Sequence, residues 1–435
     1  METTNQIKEI AYQGGENFNL RDILLKGKHL SFKDRLNFFE GFYDNLVKTN
    51  QSLYMRRVNT PADRSVKIFD PVAKELKDML MFGSNNYLGL ANHPYIRKKA
   101  QKAIEKYGIG IGGPPLLNGY TAIHRELEER LAAFKGKEST LIFSTGYGAN
   151  VGLITALLNR TDTILYDEYS HASFCDGLKM ADANSFRFRH NNIDELETLI
   201  EQCRKASNGD LFVGVEGIYS MDGDLAPLDK IVELCKKNNS YLIIDDAHGT
   251  GVMGRKGRGT AEYFNVEKDV DIIMGTFSKT FGAVGGFVCA SKEVIDYLRF
   301  FARSYMFSAS LPPVVIATVL AGIDLIEKEP ELIERLHSNV NYVCKGLGKV
   351  GLEVNTPSAI IALRVPKTMN IRKAVYHFHK LGIFVNSIEY PAVPISQQRF
   401  RISIMANHTK EDLDRLVSAV EEVWDKFDIK DNVIV

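Results

Sequence analysis

From Met79 onward, short apolar, β-branched runs alternate with longer stretches whose apolar positions recur at helical spacing. That alternation predicts βαβ units closing on a mostly parallel sheet, an α/β class. The expected strands are 139–143, 163–167, 211–216, 241–245, 271–276 and 286–290. Helices lie between them. In 124–134 (HRELEERLAAF), Leu127, Leu131 and Phe134 form one apolar stripe and Gly136 supplies a stop. Another helix follows Asn92, with Pro94 in the tolerated first turn.

Past Pro312 and Pro313 the pattern changes. Long helices run through Gly351, followed by a strand at 359–365, a helix ending near Gly382, two more strands and a last helix over 410–427. This is the make-up of a smaller α+β domain. Ahead of the sheet, Phe32, Leu36, Phe39, Tyr43 and Leu46 recur at helical spacing, predicting a helix packed on the body of the protein or on a sister subunit. No cationic face accompanies them, which disfavours a membrane-surface helix. The 435 residues therefore divide into an N-terminal extension (1–60), a large domain (61–312) and a small C-terminal domain (313–435).

Composition narrows the function. Lys plus Arg and Asp plus Glu both number 54, so there is no basic field to gather nucleic acid or an anionic membrane. The five cysteines are scattered, without C-x-x-C spacing, which argues against a disulfide framework or a zinc site and fits a reducing cytoplasm. The opening METTNQIKEI lacks an apolar core, and no apolar run reaches membrane-spanning length, so a soluble protein is expected.

Chemistry gathers just past the expected strands. Lys279 sits in Gly275-Thr-Phe-Ser-Lys-Thr-Phe-Gly282, flanked by Thr276 and Ser278. An amine there can form an imine with an aldehyde while the hydroxyls hold a phosphate; standing alone, the segment also reads as an ordinary loop lysine. The strand ending in Asp245-Asp-Ala-His248 puts a carboxylate and an imidazole where open α/β sheets bind ligands. The carboxylate can keep the pyridine nitrogen of pyridoxal 5'-phosphate (PLP) protonated, and His248 can bond the ring oxygen. A metal-binding Asp/His pair or a satisfied polar turn are the rival readings.

Further candidates surround these. Phe143-Ser-Thr-Gly146-Tyr147-Gly-Ala-Asn150 runs from a strand through a glycine turn into a helix, whose free amides suit a phosphate. His171 can lie flat on a pyridine face or simply fill core. Ser220, in Glu216-Gly-Ile-Tyr-Ser220, can reach the cofactor's polar edge. Arg401, on an alternating strand, offers a bidentate fork to a carboxylate. Gly108-Ile-Gly110-Ile-Gly-Gly113 fits a dinucleotide pattern but follows a helix and runs into two prolines, so NAD is rejected. His377 and His379 fall two apart on an expected helix and make a poor metal pair, so no metal is expected.

Taken in order, GSNNYLGL, FSTGYGAN, DEYSHAS, EGIYSMDGD, IDDAHGTGVMGRKGRG, GTFSKTFG and FSASLPP resemble the α-oxoamine synthases, a branch of the fold-type I PLP enzymes. The likeness spans Met79 to the C-terminus. It implies a homodimer with active sites shared at the subunit interface. It also implies Lys279 as Schiff-base lysine, Asp245 as pyridinium partner, His171 as stacking ring, and His248 and Ser220 as polar contacts to the cofactor. Gly146, Tyr147, Thr276 and Ser278 match phosphate contacts, Ser308 a residue reaching the neighbour's phosphate, and Arg401 and Asn86 positions near the substrate carboxylate.

The implied reaction is a decarboxylative Claisen condensation of an amino acid with an acyl thioester, carried on coenzyme A or acyl carrier protein. Thr-Phe-Ser-Lys and Phe-Ser-Ala-Ser-Leu-Pro-Pro look like the serine palmitoyltransferase members, which implies serine and a long acyl chain. Pro114-Pro115 stands where those members carry Ser-Arg, which leaves cysteate, giving a sulfonolipid precursor, as the leading alternative. Condensation with glycine or alanine, as in 2-amino-3-ketobutyrate CoA ligase or 8-amino-7-oxononanoate synthase, also stays open. Outside this chemistry, a non-catalytic scaffold subunit would have no need of Lys279.

Overall fold

The computed structural model describes residues 20–70, 73–206 and 209–429; the opening segment METTNQIKEI lies outside them. An antiparallel hairpin of β1 (Ser65–Asp70) and β2 (Glu75–Met81) precedes the large sheet. That sheet contains β3 (Ser139–Phe143), β4 (Thr163–Asp167), β5 (Asn184–Phe188), β6 (Leu211–Glu216), β7 (Tyr241–Asp245), β8 (Ile272–Thr276) and β9 (Gly286–Ala290). Its order is β3-β9-β8-β7-β6-β4-β5. β9 is antiparallel to both neighbours, and the other pairings are parallel. The fold class is thus α/β, as the alternating pattern predicts.

The central strands read as unbroken apolar runs because both faces are covered: every residue of β6, β8 and β9 is buried. β5 escaped the sequence reading for the opposite reason. It pairs with β4 alone, at the sheet edge, and four of its five residues are exposed. From β4 the chain moves outward to β5, then returns on the other side to β6, β7 and β8. That reversal between β4 and β6 opens a crevice at the strands' carboxyl ends, the usual ligand position in such sheets.

After the helices Pro313–Lys328 and Glu331–Lys349 come β10 (Ile360–Arg364), the helix Ile371–Lys380, β11 (Ile383–Phe384), β12 (Asn386–Ile388) and β13 (Arg399–Ser403). β10, β13 and β12 form an antiparallel sheet, whereas β11 pairs parallel with β2 and ties 65–81 to the C-terminal part of the chain. The final helix, Lys410–Lys426, opens on a capping box. Thr409 Oγ1 accepts from the Asp412 amide at 3.3 Å, and Asp412 Oδ2 accepts from the Thr409 amide at 2.9 Å, an arrangement worth about 1 kcal/mol.

The N-terminal helix Phe32–Lys48 forms, but of the expected row only Leu46 is buried. Phe38, Phe42 and Leu46 are buried against Leu20, Ile23 and Leu30, and the Arg372 guanidinium lies 5.5 Å from the Phe42 ring centre. Phe32, Leu36, Phe39 and Tyr43 face outward. The apolar arc is wider than one stripe, and the preceding helix, Leu20–Gly27, covers only half of it.

Candidate active site

The loops after β4, β6, β7 and β8 and the start of the helix Gly146–Leu157 enclose a cavity of about 280 Å³. Gly146, Tyr147, His171, Ser220, Asp245, His248, Thr276, Ser278 and Lys279 all line it. Three candidates lie elsewhere. Ser308 is half-buried outside this cavity. Arg401 is held against the cavity's rim through the Ser220 carbonyl, and Asn86 serves a neighbouring turn, its Oδ1 accepting from the Ala91 amide at 3.1 Å.

Asp245, buried at the end of β7, accepts from Asn150 Nδ2 at 2.8 Å on one oxygen and from the Ala247 amide at 3.1 Å on the other. Both donors are neutral, so its negative charge is held in place without being cancelled. The same Asn150 amide donates to Ser173 Oγ at 2.9 Å. Ser173 in turn offers its amide (3.2 Å) and hydroxyl (2.7 Å) to His171 Nδ1, an arrangement that puts the ring proton on Nε2. Burial lowers the His171 pKa, with the Asp245 charge opposing and Lys279 reinforcing.

Lys279 follows β8 and is half-buried on the cavity wall. Its side chain forms no hydrogen bond or ion pair among the described residues. Burial pushes its pKa down to about 8, against the pull of Asp245 and Glu216, so a sizeable fraction of the amine is free to act as a nucleophile near neutrality.

Across the cavity, buried His248 shares a 2.7 Å hydrogen bond with Tyr87 Oη through Nδ1. Its pKa lies well below the usual imidazole value because of burial, then of Lys279 and Arg401. The Arg401 guanidinium donates to Tyr87 Oη (3.3 Å), Asn85 Oδ1 (3.0 Å), Ser403 Oγ (3.2 Å) and the Ser220 carbonyl (2.6 Å). All four acceptors are neutral, which leaves a buried cation able to take an incoming carboxylate.

Opposite these groups an anion cradle forms. Thr276 Oγ1 donates to the Gly285 carbonyl at 2.9 Å and accepts from the Ser278 amide at 3.2 Å. Both hydroxyls stand beside the first turn of the helix Gly146–Leu157, whose open amides favour a phosphate. A Cβ at Gly146 would meet Thr276 Oγ1 at 2.8 Å, so glycine is what lets helix and strand approach. Amine, carboxylate and cradle match the aldehyde, ring nitrogen and phosphate of PLP.

Sequence reasoning passed over Glu216, Asn150, Ser173, Tyr87 and Asn85. Each lies inside a quoted motif, but its part depends on contacts between separate elements. A second cavity, about 740 Å³, shares Ser220 and is lined by Tyr169, Tyr219, Met221 and the loop from Tyr390 to Gln397, with Arg21, Arg187 and Lys367 contributing cations and Glu168 and Asp222 carboxylates.

The chain matches the aminotransferase class I and II family over residues 77–420 and belongs to it. The serine palmitoyltransferase of Bacteriovorax stolpii is 40% identical over 390 residues, 89% of this chain and 91% of that one. The 8-amino-7-oxononanoate synthase of Geotalea daltonii is 41% identical over 356 residues, 81% of this chain and 90% of that one. A serine palmitoyltransferase from S. paucimobilis, solved with bound PLP-myriocin aldimine, aligns with a TM-score of 0.86 at 30% identity, covering 92% of this chain and 100% of that one. Within its family the protein is an α-oxoamine synthase, a PLP-dependent acyltransferase that condenses an acyl group with an amino acid.

Proposed function

We propose that the enzyme condenses serine with a long-chain acyl thioester, releasing CO2 and a 3-keto sphingoid-type aminoketone. The observation that carries this reading is a Lys279 amine without a partner among the described residues on one cavity, an Arg401 held by neutral acceptors at its rim, and a neighbouring second cavity roomy enough for an acyl chain. Relatives described as serine palmitoyltransferases support serine. The apolar Pro114-Pro115-Leu-Leu segment, in which Leu117 is 81% exposed, supports a greasy donor.

Bound PLP would supply the sink for the electron pair left at the amino acid's Cα. Lys279 would hold the cofactor and, once freed by the amino acid, take the Cα proton. Asp245 would keep the ring nitrogen protonated, His171 would cover the ring face, and His248 and Ser220 would meet its polar edge. Gly146, Tyr147, Thr276 and Ser278 would bind the phosphate. Arg401, with Asn86 near by, would orient the substrate carboxylate until it leaves as CO2. The Cα–C bond to the acyl group forms as the thiol departs, and Lys279 returns a proton to Cα.

The larger cavity would take the thioester arm, with Arg187 and Lys367 near its phosphate. Ser308, away from its own cavity, fits a homodimer in which it completes the neighbour's phosphate site. Five free cysteines suit a cytoplasmic enzyme, and no described helix is long and apolar enough to cross a membrane.

The test is a panel of serine, cysteate, glycine and alanine with palmitoyl-CoA or palmitoyl-acyl carrier protein, scored by aminoketone mass and CO2 release. Serine should give the highest kcat/KM. A preference for cysteate, or product from none of the four, would overturn the serine assignment.

A further inference from the structure

β6 and β7 run parallel and in register, which sets Glu216 directly opposite Asp245. Both carboxyl groups line the cofactor cavity, with 4% and 6% of their surface exposed. Buried, adjacent carboxylates do not both ionise unless cations and donors match them. The donors are unequally shared. Asp245 receives one on each oxygen, from Asn150 and Ala247, whereas Glu216 Oε1 is buried with no hydrogen-bond partner among the described residues. The cation facing Glu216 is Lys279, the same one Asp245 faces.

We propose that Glu216 is held as a neutral carboxylic acid, a positioning residue that leaves Asp245 the sole anion of this wall and keeps one acidic proton beside Lys279. Burial raises its pKa well above the usual carboxylate range and the Asp245 charge adds to that. Lys279 and the backbone amides of Ser220 and His171 pull the other way without prevailing. The other titratable groups facing it, Tyr219 from its own loop and Cys175 from the helix Ala172–Met180, bring no positive charge. Once Lys279 is engaged as an imine, an ionised Glu216 would compete with Asp245 for the ring-nitrogen proton. A neutral one leaves that proton where the electron sink needs it.

The proposal concerns the cofactor alone and does not depend on which substrate is used. Its test is the pH midpoint of the Schiff-base absorbance in PLP-loaded E216Q and wild type. Gln keeps the shape and is neutral, so the midpoint should move by less than about half a unit. Deleting an ionised carboxylate would lower it by about 1–3 units, and a fall of a unit or more overturns the proposal. Should E216Q fail to fold or load, wild-type protein carrying 13C-labelled glutamate answers by infrared spectroscopy. A protonated-carboxyl C=O band present at pH 8 and displaced by added PLP supports a neutral Glu216; absence of such a band overturns it.

Discussion

Two lysine–aspartate neighbourhoods meet at the end of β7, and they are built in opposite ways. Behind the sheet, Lys135 Nζ donates to Asp246 Oδ2 at 2.8 Å, to Thr250 Oγ1 at 3.1 Å and to the Arg258 carbonyl. Asp246 Oδ1 also accepts from the hydroxyl (2.7 Å) and amide (3.2 Å) of Thr260. The two side chains are 1% and 2% exposed. One residue earlier, Asp245 takes only neutral donors, and Lys279 opens on a cavity without a partner. The residue types are the same. Saturation of partners makes the first pair a strut and the absence of it leaves the second free for chemistry.

Removing one charged member from each region breaks this comparison most sharply. K279A should abolish the Schiff-base absorbance and cut turnover by at least about 10²–10⁴-fold, the scale of losing a proton-transfer group, with little change in the urea midpoint. D246A should act the other way. It strands the Lys135 charge and should cost about 3–5 kcal/mol in urea unfolding, while protein that remains folded keeps its PLP absorbance. The double change K135M/D246L should cost less than D246A, because no charge is left unpaired. If D246A destroyed the absorbance at unchanged stability, the strut would belong to the site.

How much of this was legible in the sequence follows from what each residue contacts. The central strands could be read because burial on both faces makes an apolar run; β5, exposed at the edge, left no such mark. Lys279, Asp245 and His171 stand out since each ends or follows a strand in a distinctive motif. The pairing of Glu216 with Asp245 arises from register between strands distant in sequence, and nothing local to EGIYSMDGD announces it. Adjacent asparagines are equally opaque: Asn85 reaches Arg401 whereas Asn86 caps a turn. On the N-terminal helix, an apolar arc wider than one row hid which half would be covered.

The open pair should also announce itself in pH dependence. With Lys279 near a pKa of about 8, the free amine should rise about tenfold between pH 7 and pH 9. The rate at which apo-protein captures PLP should climb accordingly and level off above that range. D245N removes the anion that supports the protonated amine, so its plateau should begin at lower pH. A capture rate flat across this window would mean that Lys279 is already neutral or that a slower step governs loading. The saturated pair, by contrast, should leave the capture profile alone when mutated.

A smaller effect extends the comparison to an imidazole. His190 is gripped by Asp167 (3.1 Å) and Asp224 (2.7 Å) and stacked on Tyr169 at 4.2 Å. Burial lowers its pKa, but the two carboxylates outweigh burial and lift it to about 10. This clamp joins the loops carrying His171 and Ser220, and like Lys135 its charge is fully partnered. Because the folded pKa is raised, the stabilisation is complete below the ordinary imidazole value and is lost as pH climbs toward about 10. The wild-type melting temperature should therefore fall between pH 7 and 10 more steeply than that of H190Q, which carries no such proton. Equal slopes would show that His190 is neutral in the folded protein and that Asp167 and Asp224 are held by other donors, such as the amide of Asn191 to Asp167 and its side chain to Asp224.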